Sequence, residues 1–202
     1  TKIGSGNPGT MNMTREFGLK VGIITFFCDA FKGGIPALIS YFVYRKYCFA
    51  GTNVLVSDFT RYFCGVWVII GHIFPVTMKF KGGKGIASTL GLFWINLGCE
   101  NPWFLLIGFA AFWLIAFYIV ATEWGSMGSL IGVAGFGLWQ GVIFFLRYRS
   151  EPSNPYVIIL FMLILAINVL TWVAHRKNIM RLLSGEEHHT SVKKMIHRKK
   201  KA

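Results

Sequence analysis

The chain has 202 residues, 54% of them hydrophobic, 16% aromatic and only 14% charged, with 21 Lys and Arg against 8 Asp and Glu. A soluble domain is about 45–50% apolar and about 25% charged. The composition therefore excludes a disordered chain and argues against a soluble globule, which at this size cannot hide so much apolar surface. A net charge of +13 on so hydrophobic a chain favours a membrane protein over a nucleic-acid binder.

Residues 4–12 read Gly-Ser-Gly-Asn-Pro-Gly-Thr-Met-Asn and lead to Arg15. Glycines let backbone N–H groups approach an anion. Ser5, Asn7, Thr10 and Asn12 add neutral hydrogen-bonding side chains, and Arg15 adds a fork suited to phosphate. The stretch also reads as a polar lead-in to a helix, with Asn12 or Thr14 at the N-cap.

Six apolar stretches follow: 19–44, 59–75, 86–97, 102–121, 127–146 and 156–174. A crossing helix needs about 20 mostly apolar residues, so the third needs its flanks, tilt or partial burial. Together they predict an all-α, polytopic membrane bundle of about six transmembrane helices. Pro8, Pro75, Pro102, Pro152 and Pro155 fall at predicted boundaries, where the missing N–H does little harm. Asp29 and Lys32, three apart inside the first stretch, predict an intrahelical pair. Cys28, Cys48, Cys64 and Cys99 lack metal-ligand spacing and read as small buried hydrophobes; no metal site is expected. No alternating strands of barrel type are present.

Two further polar segments interrupt this pattern. Between the second and third stretches, Gly71-His72-Ile73-Phe74-Pro75 precedes Lys79-Phe80-Lys81-Gly82-Gly83-Lys84-Gly85, which opens a helix at Ile86. A Gly-Gly-Lys-Gly turn at a helix N-terminus offers backbone donors, dipole and a full charge to a phosphate, although it is not a Walker A loop. After the last stretch, His175, Asn178 and Arg181 are spaced to share one helical face. A basic tail, 185–202, follows the membrane domain of 1–184 and is expected to lie along anionic lipid.

Six crossings put both chain ends on one side. That side collects 15 Lys and Arg, against Arg45, Lys46, Arg61, Arg147 and Arg149 on the other. The bias places the ends and all three polar segments in the cytoplasm.

In this order and spacing, the three segments resemble the bacterial acyl-phosphate:glycerol-3-phosphate acyltransferases of the PlsY type. Gly4 to Arg15 is similar to that family's first motif, Gly71 to Ala87 to its second and His175 to Glu187 to its third; Asp29, Lys32 and Gly33 also fit. The resemblance implies an inner-membrane enzyme of seven transmembrane helices, the first of them expected to precede Thr1. It implies transfer of a fatty acyl group from acyl phosphate to the 1-hydroxyl of glycerol 3-phosphate, giving lysophosphatidic acid, with no cofactor and no nucleic-acid partner. Carried over by position, Ser5, Arg15, His175 and Asn178 are expected to be catalytic. Asn7, Asn12, Gly82, Gly83, Lys84 and Gly85 are expected to bind phosphate, and Glu187 to be structural. The chain is expected to act as a monomer among membrane lipids. Thr10-Met11 departs from the usual Ala-Thr of the first motif. A small transporter, an anion-binding membrane subunit and an inactive member of the family stay open as alternatives, although the halves of the sequence show no internal repeat of the kind transporters carry.

Overall fold

The structure is a computed structural model that describes residues 6–186. Eight α-helices run in order: α1 (Thr10–Phe17), α2 (Leu19–Tyr44), α3 (Val56–Ile73), α4 (Ile86–Glu100), α5 (Trp103–Thr122), α6 (Gly125–Arg147), α7 (Pro155–Ala174) and α8 (Arg176–Leu183). Among the described residues there is no strand beyond an isolated bridge between Cys48 and Leu55. Five helices are long and apolar enough to cross a membrane: α2, α3 with the short turn after it, α5, α6 and α7.

The third apolar stretch has a different use. α4 has 15 residues, about 22 Å at 1.5 Å per residue, against a hydrocarbon core of about 30 Å. It sits in the middle of the bundle and packs against α2, α3, α5, α6 and α7. Ser88, Thr89, Leu92, Phe93, Asn96 and Leu97 are wholly buried. Because protein rather than lipid surrounds it, this helix tolerates polar residues that an isolated span does not.

Small residues bring α2 onto α4. A methyl at Gly33 would overlap the Ser88 carbonyl, one at Gly91 the Ala30 carbonyl, and one at Gly34 the Ile95 side chain. Such contacts, with interhelical hydrogen bonds, do the work that the hydrophobic effect cannot do between helices in lipid. Thr89 Oγ1 lies 3.0 Å from Thr171 Oγ1 of α7, and Ser40 Oγ donates to Thr60 Oγ1 of α3 at 2.7 Å. Trp94 Nε1 donates to the Leu105 carbonyl at 2.9 Å, pinning α5. Phe93, Tyr62, Phe144, Ile69, Leu92, Leu160 and Ile167 fill the core.

A cluster of four charges closes one end of the bundle. Arg61 Nη2 reaches Asp58 Oδ1 and Glu100 Oε1, both at 2.6 Å. Arg147 reaches Asp58 Oδ2 at 2.6 Å and also contacts Glu100. Tyr148 donates to Asp58 Oδ2 at 2.6 Å. Burial and the Asp58 carboxylate push the Tyr148 phenol well above its ordinary range, so it remains a donor. Arg61 and Arg147, counted in the sequence as cations of one membrane face, are thus neutralised inside the fold.

Two expectations are corrected. None of the cysteines is buried: Cys28 and Cys48 are exposed and Cys64 and Cys99 partly so. Cys28 shares the outer surface of α2 with Ile24, Phe27 and Phe31, because a small apolar thiol suits a lipid-facing surface as well as a core. The first helix starts at Thr10 with Gly9 as N-cap, so Asn12 and Thr14 lie inside it; Asn7 Oδ1 instead accepts from the Gly9 N–H at 2.9 Å.

Replacing Arg61 by Leu leaves Asp58 and Glu100 with one cation, Arg147, between them. The expected loss is about 3–5 kcal/mol, the usual cost of breaking a buried ion pair, read as a lowered unfolding temperature in detergent. Arg45→Leu, in the loop, is expected to change it little.

Candidate active site

At the bundle end opposite the ion cluster, the three polar segments meet. A pocket of about 530 Å³ is lined by Asn7, Thr10, Asn12 and Arg15 from the first, by Lys84 and Gly85 from the second, and by His175, Asn178 and Arg181 from the third. Asp29 and His72 also line it, as do Ser126 and Ser129 of α6.

α1 supplies Asn12 and Arg15, three apart and therefore on one face. Asn12 is buried and Arg15 exposed.

The second segment uses its glycines for three different reasons. A methyl at Gly82 would collide with the His72 carbonyl and Pro75, and one at Gly83 with the His72 imidazole. Gly85, the N-cap of α4, has φ +85°, a left-handed conformation that favours glycine. The Gly82 N–H donates to the Ile73 carbonyl and the Gly83 N–H to the His72 carbonyl, both at 3.1 Å. Gly82 and Gly83 therefore dock the loop on the end of α3 and do not line the pocket, contrary to the expectation that their N–H groups cradle phosphate. The anion-facing elements are Lys84, Gly85 and the first turn of α4, Ile86 and Ala87, whose N-terminus no side chain caps. Those orphan N–H groups and the helix dipole suit an anion.

The third segment reaches the pocket by a break rather than by a continuous helix. α7 ends at Ala174, His175 turns the chain, and α8 starts at Arg176. His175 Nδ1 lies 2.9 Å from the Thr171 carbonyl. A carbonyl only accepts, so Nδ1 carries the proton and the neutral ring leaves Nε2 as an acceptor. Burial pushes the His175 pKa down to about 4; the Thr171 carbonyl opposes this and Lys84 adds to it. Asn178 lies at the crossing of two segments: Lys84 Nζ donates to its Oδ1 at 2.7 Å, and its Nδ2 donates to Ser126 Oγ at 2.5 Å.

Asp29 accepts from Lys32 Nζ at 2.6 Å, the pair expected from their spacing, and also lies 3.6 Å from His72 Nδ1. Among the described lining residues, Asp29 is the single acid against three cations, Arg15, Lys84 and Arg181. Arg181, Ser126 and Ser129 were not singled out as site residues from sequence. Arg181 carried a signal in its helical spacing from His175 and Asn178. Ser126 carried none, because nothing local connects it to a residue 52 positions later. Ser5 and Glu187 lie outside the described residues.

The pocket has a second, apolar side, formed by Phe26 of α2, Leu90 of α4 and Phe112, Ile115, Ala116 and Ile119 of α5. An apolar groove of about 630 Å³ between α6 and α7, lined by Gly137, Gly141, Phe145 and Trp172 among others, shares no lining residue with it. A helical membrane bundle that sets clustered cations and a helix N-terminus beside an apolar wall defines an integral membrane protein built to hold anionic amphiphiles.

The family profile described as glycerol-3-phosphate acyltransferase matches residues 1–185, and the chain belongs to that family. It is 36% identical over 186 residues to the glycerol-3-phosphate acyltransferase of Thermotoga petrophila, covering 92% of this chain and 80% of the relative. The Aquifex aeolicus enzyme of the same name is 37% identical over 186 residues, covering 92% and 82%. Among solved structures, PlsY (YgiH), an integral membrane glycerol 3-phosphate acyltransferase, matches in its lysophosphatidic acid form with a TM-score of 0.68 and 29% identity, over 92% of this chain and 80% of that one. Its glycerol 3-phosphate form matches with the same TM-score and identity, over 93% and 80%.

The depressed His175 pKa links folding to pH. The unfolded histidine binds a proton below about 6.5 and the folded one only below about 4, so the unfolded chain carries more protons between these values. Stability is expected to fall as pH drops through that window, and His175→Gln is expected to flatten the slope, as read from unfolding temperatures between pH 4 and 7.

Proposed function

We propose that this acyltransferase moves a fatty acyl group from acyl phosphate to the 1-hydroxyl of glycerol 3-phosphate, forming 1-acyl-glycerol 3-phosphate and releasing phosphate for phospholipid synthesis. The reading rests on one observation above the others: three segments distant in sequence converge on a pocket whose polar side suits phosphate and whose apolar side suits an alkyl chain. The family membership and a structural relative with a glycerol 3-phosphate form support the acceptor. The donor follows from the resemblance of the motifs.

Two phosphate-bearing substrates repel each other, and Arg15, Lys84, Arg181 and the N-terminus of α4 offset that repulsion. The Lys84–Asn178–Ser126 chain of hydrogen bonds fixes the ammonium and the amide, and the remaining N–H groups of Lys84 and of Asn178 Nδ2 are the donors for the developing oxyanion. Acyl phosphate is a mixed anhydride with a good leaving group, so orientation supplies much of the rate. Transfer is direct: the glycerol oxygen bonds to the acyl carbon, the bond from that carbon to the phosphate oxygen breaks, and no acyl-enzyme forms. A proton acceptor is needed for the alcohol. Burial disfavours the protonated imidazole of His175, so the proton goes to a phosphate oxygen, with His175 Nε2 orienting the hydroxyl. By resemblance, Ser5 acts with Arg15 as a catalytic residue, Asn12 binds phosphate and Glu187 has a structural role. The excess of Lys and Arg on this side of the sequence supports a site on the cytoplasmic side of the inner membrane, in a protein acting as a monomer.

Purified protein given acyl phosphate and glycerol 3-phosphate is expected to form lysophosphatidic acid, and Arg15→Ala to abolish it. Lys84→Ala is expected to raise KM for glycerol 3-phosphate roughly 10- to 100-fold, the worth of a hydrogen bond to a charged group, with a smaller change in kcat; the reverse pattern contradicts a phosphate-binding role. Rapid-quench labelling with radioactive acyl phosphate is expected to trap no acyl–protein adduct. A stable adduct on Ser5 would replace direct transfer by a covalent route.

A further inference from the structure

α2 and α5 both pack on α4, yet they scarcely touch each other. Between them, over α4, lies the apolar side of the pocket. What spans the gap is one ring contact: Phe26 of α2 and Phe112 of α5 lie with centroids 5.3 Å apart and planes tilted by 42°. Both rings are half-buried and both line the pocket. Their neighbours Phe27, Trp113 and Leu114 point outward and are exposed. On the inner side, Ile115, Ala116 and Ile119 continue the wall toward the polar groups, one face of α5 at helical spacing.

From this arrangement we infer that the Phe26–Phe112 pair is the specificity-determining contact for the acyl chain: a cross-bar between α2 and α5 that the chain of the donor must pass or displace to lie partly in the bilayer. The inference rests on the proposed acyl transfer. Ile119 to Phe112 spans seven residues of helix, about 10 Å, a third of the hydrocarbon thickness. A short chain ends inside this length. A long one crosses the bar, and the two rings set the energetic cost of doing so. The α6–α7 groove is roomier, but it shares no lining residue with the site.

The test uses the full chain in lipid nanodiscs, with eight- and eighteen-carbon acyl phosphates and, in parallel, the same chains on coenzyme A. Phe26→Ala and Phe112→Ala are expected to raise the long-to-short ratio of kcat/KM by about tenfold, the lower end of what one methylene in a pocket discriminates. Phe112→Trp is expected to lower it, while KM for glycerol 3-phosphate stays within about twofold of the parent. Phe26→Leu and Phe112→Leu supply the ratio if the alanine variants unfold. Gly141→Leu, which fills open space in the α6–α7 groove, is expected to leave the ratio unchanged. A ratio that ignores the phenylalanines, or that moves with Gly141→Leu instead, overturns the inference. Turnover with coenzyme A thioesters alone, with the ratio still shifting at Phe26 and Phe112, overturns the acyl-phosphate donor and upholds the cross-bar. No transfer from either donor overturns both.

Discussion

The bundle depends on keeping a helix too short to cross a bilayer at its centre. α4 presents the glycine-lysine loop and its own N-terminus to the pocket at one end, and Glu100 to the ion cluster at the other. Between them, Gly91 against Ala30 and Gly33 against Ser88 bring α2 close enough to cover it. A side chain at any of these glycines would push α2 outward and move Asp29 and Phe26, which line the pocket from α2. Helix contact and site geometry are therefore one constraint, and the distance of Asp29 and Phe26 from the rest of the pocket is set by Gly33 and Gly91.

Charge is handled in two opposite ways at the two ends. Arg61 and Arg147 face two carboxylates, and the four charges cancel within a network that Tyr148 and Gln140 extend. Among the described residues that line the pocket, Arg15, Lys84 and Arg181 stand beside one carboxylate, Asp29, itself paired to Lys32. The first arrangement suits structure, because burying balanced, hydrogen-bonded ions leaves no demand for another partner. The second gathers cations and a helix N-terminus around a pocket, an arrangement that suits anionic substrates. The same residue types thus clamp at one end of the fold and bind at the other, and the difference lies in which acids are within reach.

Much of this was legible in the sequence. Length and hydropathy located the long helices, and the short third stretch was already anomalous, since twelve apolar residues do not cross unaided. The three polar segments were legible as a set because each is out of character with its apolar surroundings. The rest was not, for identifiable reasons. The ion cluster joins Asp58, Glu100 and Arg147 across as many as 89 residues, and no periodicity records such a pairing. Gly82 and Gly83 looked like phosphate donors because glycine reads the same whether its N–H faces a ligand or its missing Cβ makes room for a histidine ring. His175 and Asn178 were placed on one helical face, and they do reach one site, but through a turn that the spacing did not reveal.

α5 is the least enclosed of the long helices. Trp103, Leu106, Trp113, Leu114 and Phe117 all lie on its exposed surface, and Gly108 is its one buried residue. Yet Phe112 to Ile119 on the same helix form a wall of the pocket. The polar wall is held by hydrogen bonds and close backbone contacts, whereas the apolar wall is held in large part by whatever acyl tails surround it. Lateral pressure and chain order in the surrounding leaflet therefore bear on the width of the pocket. A protein that makes membrane lipid thus has one side of its reaction chamber shaped by the membrane itself.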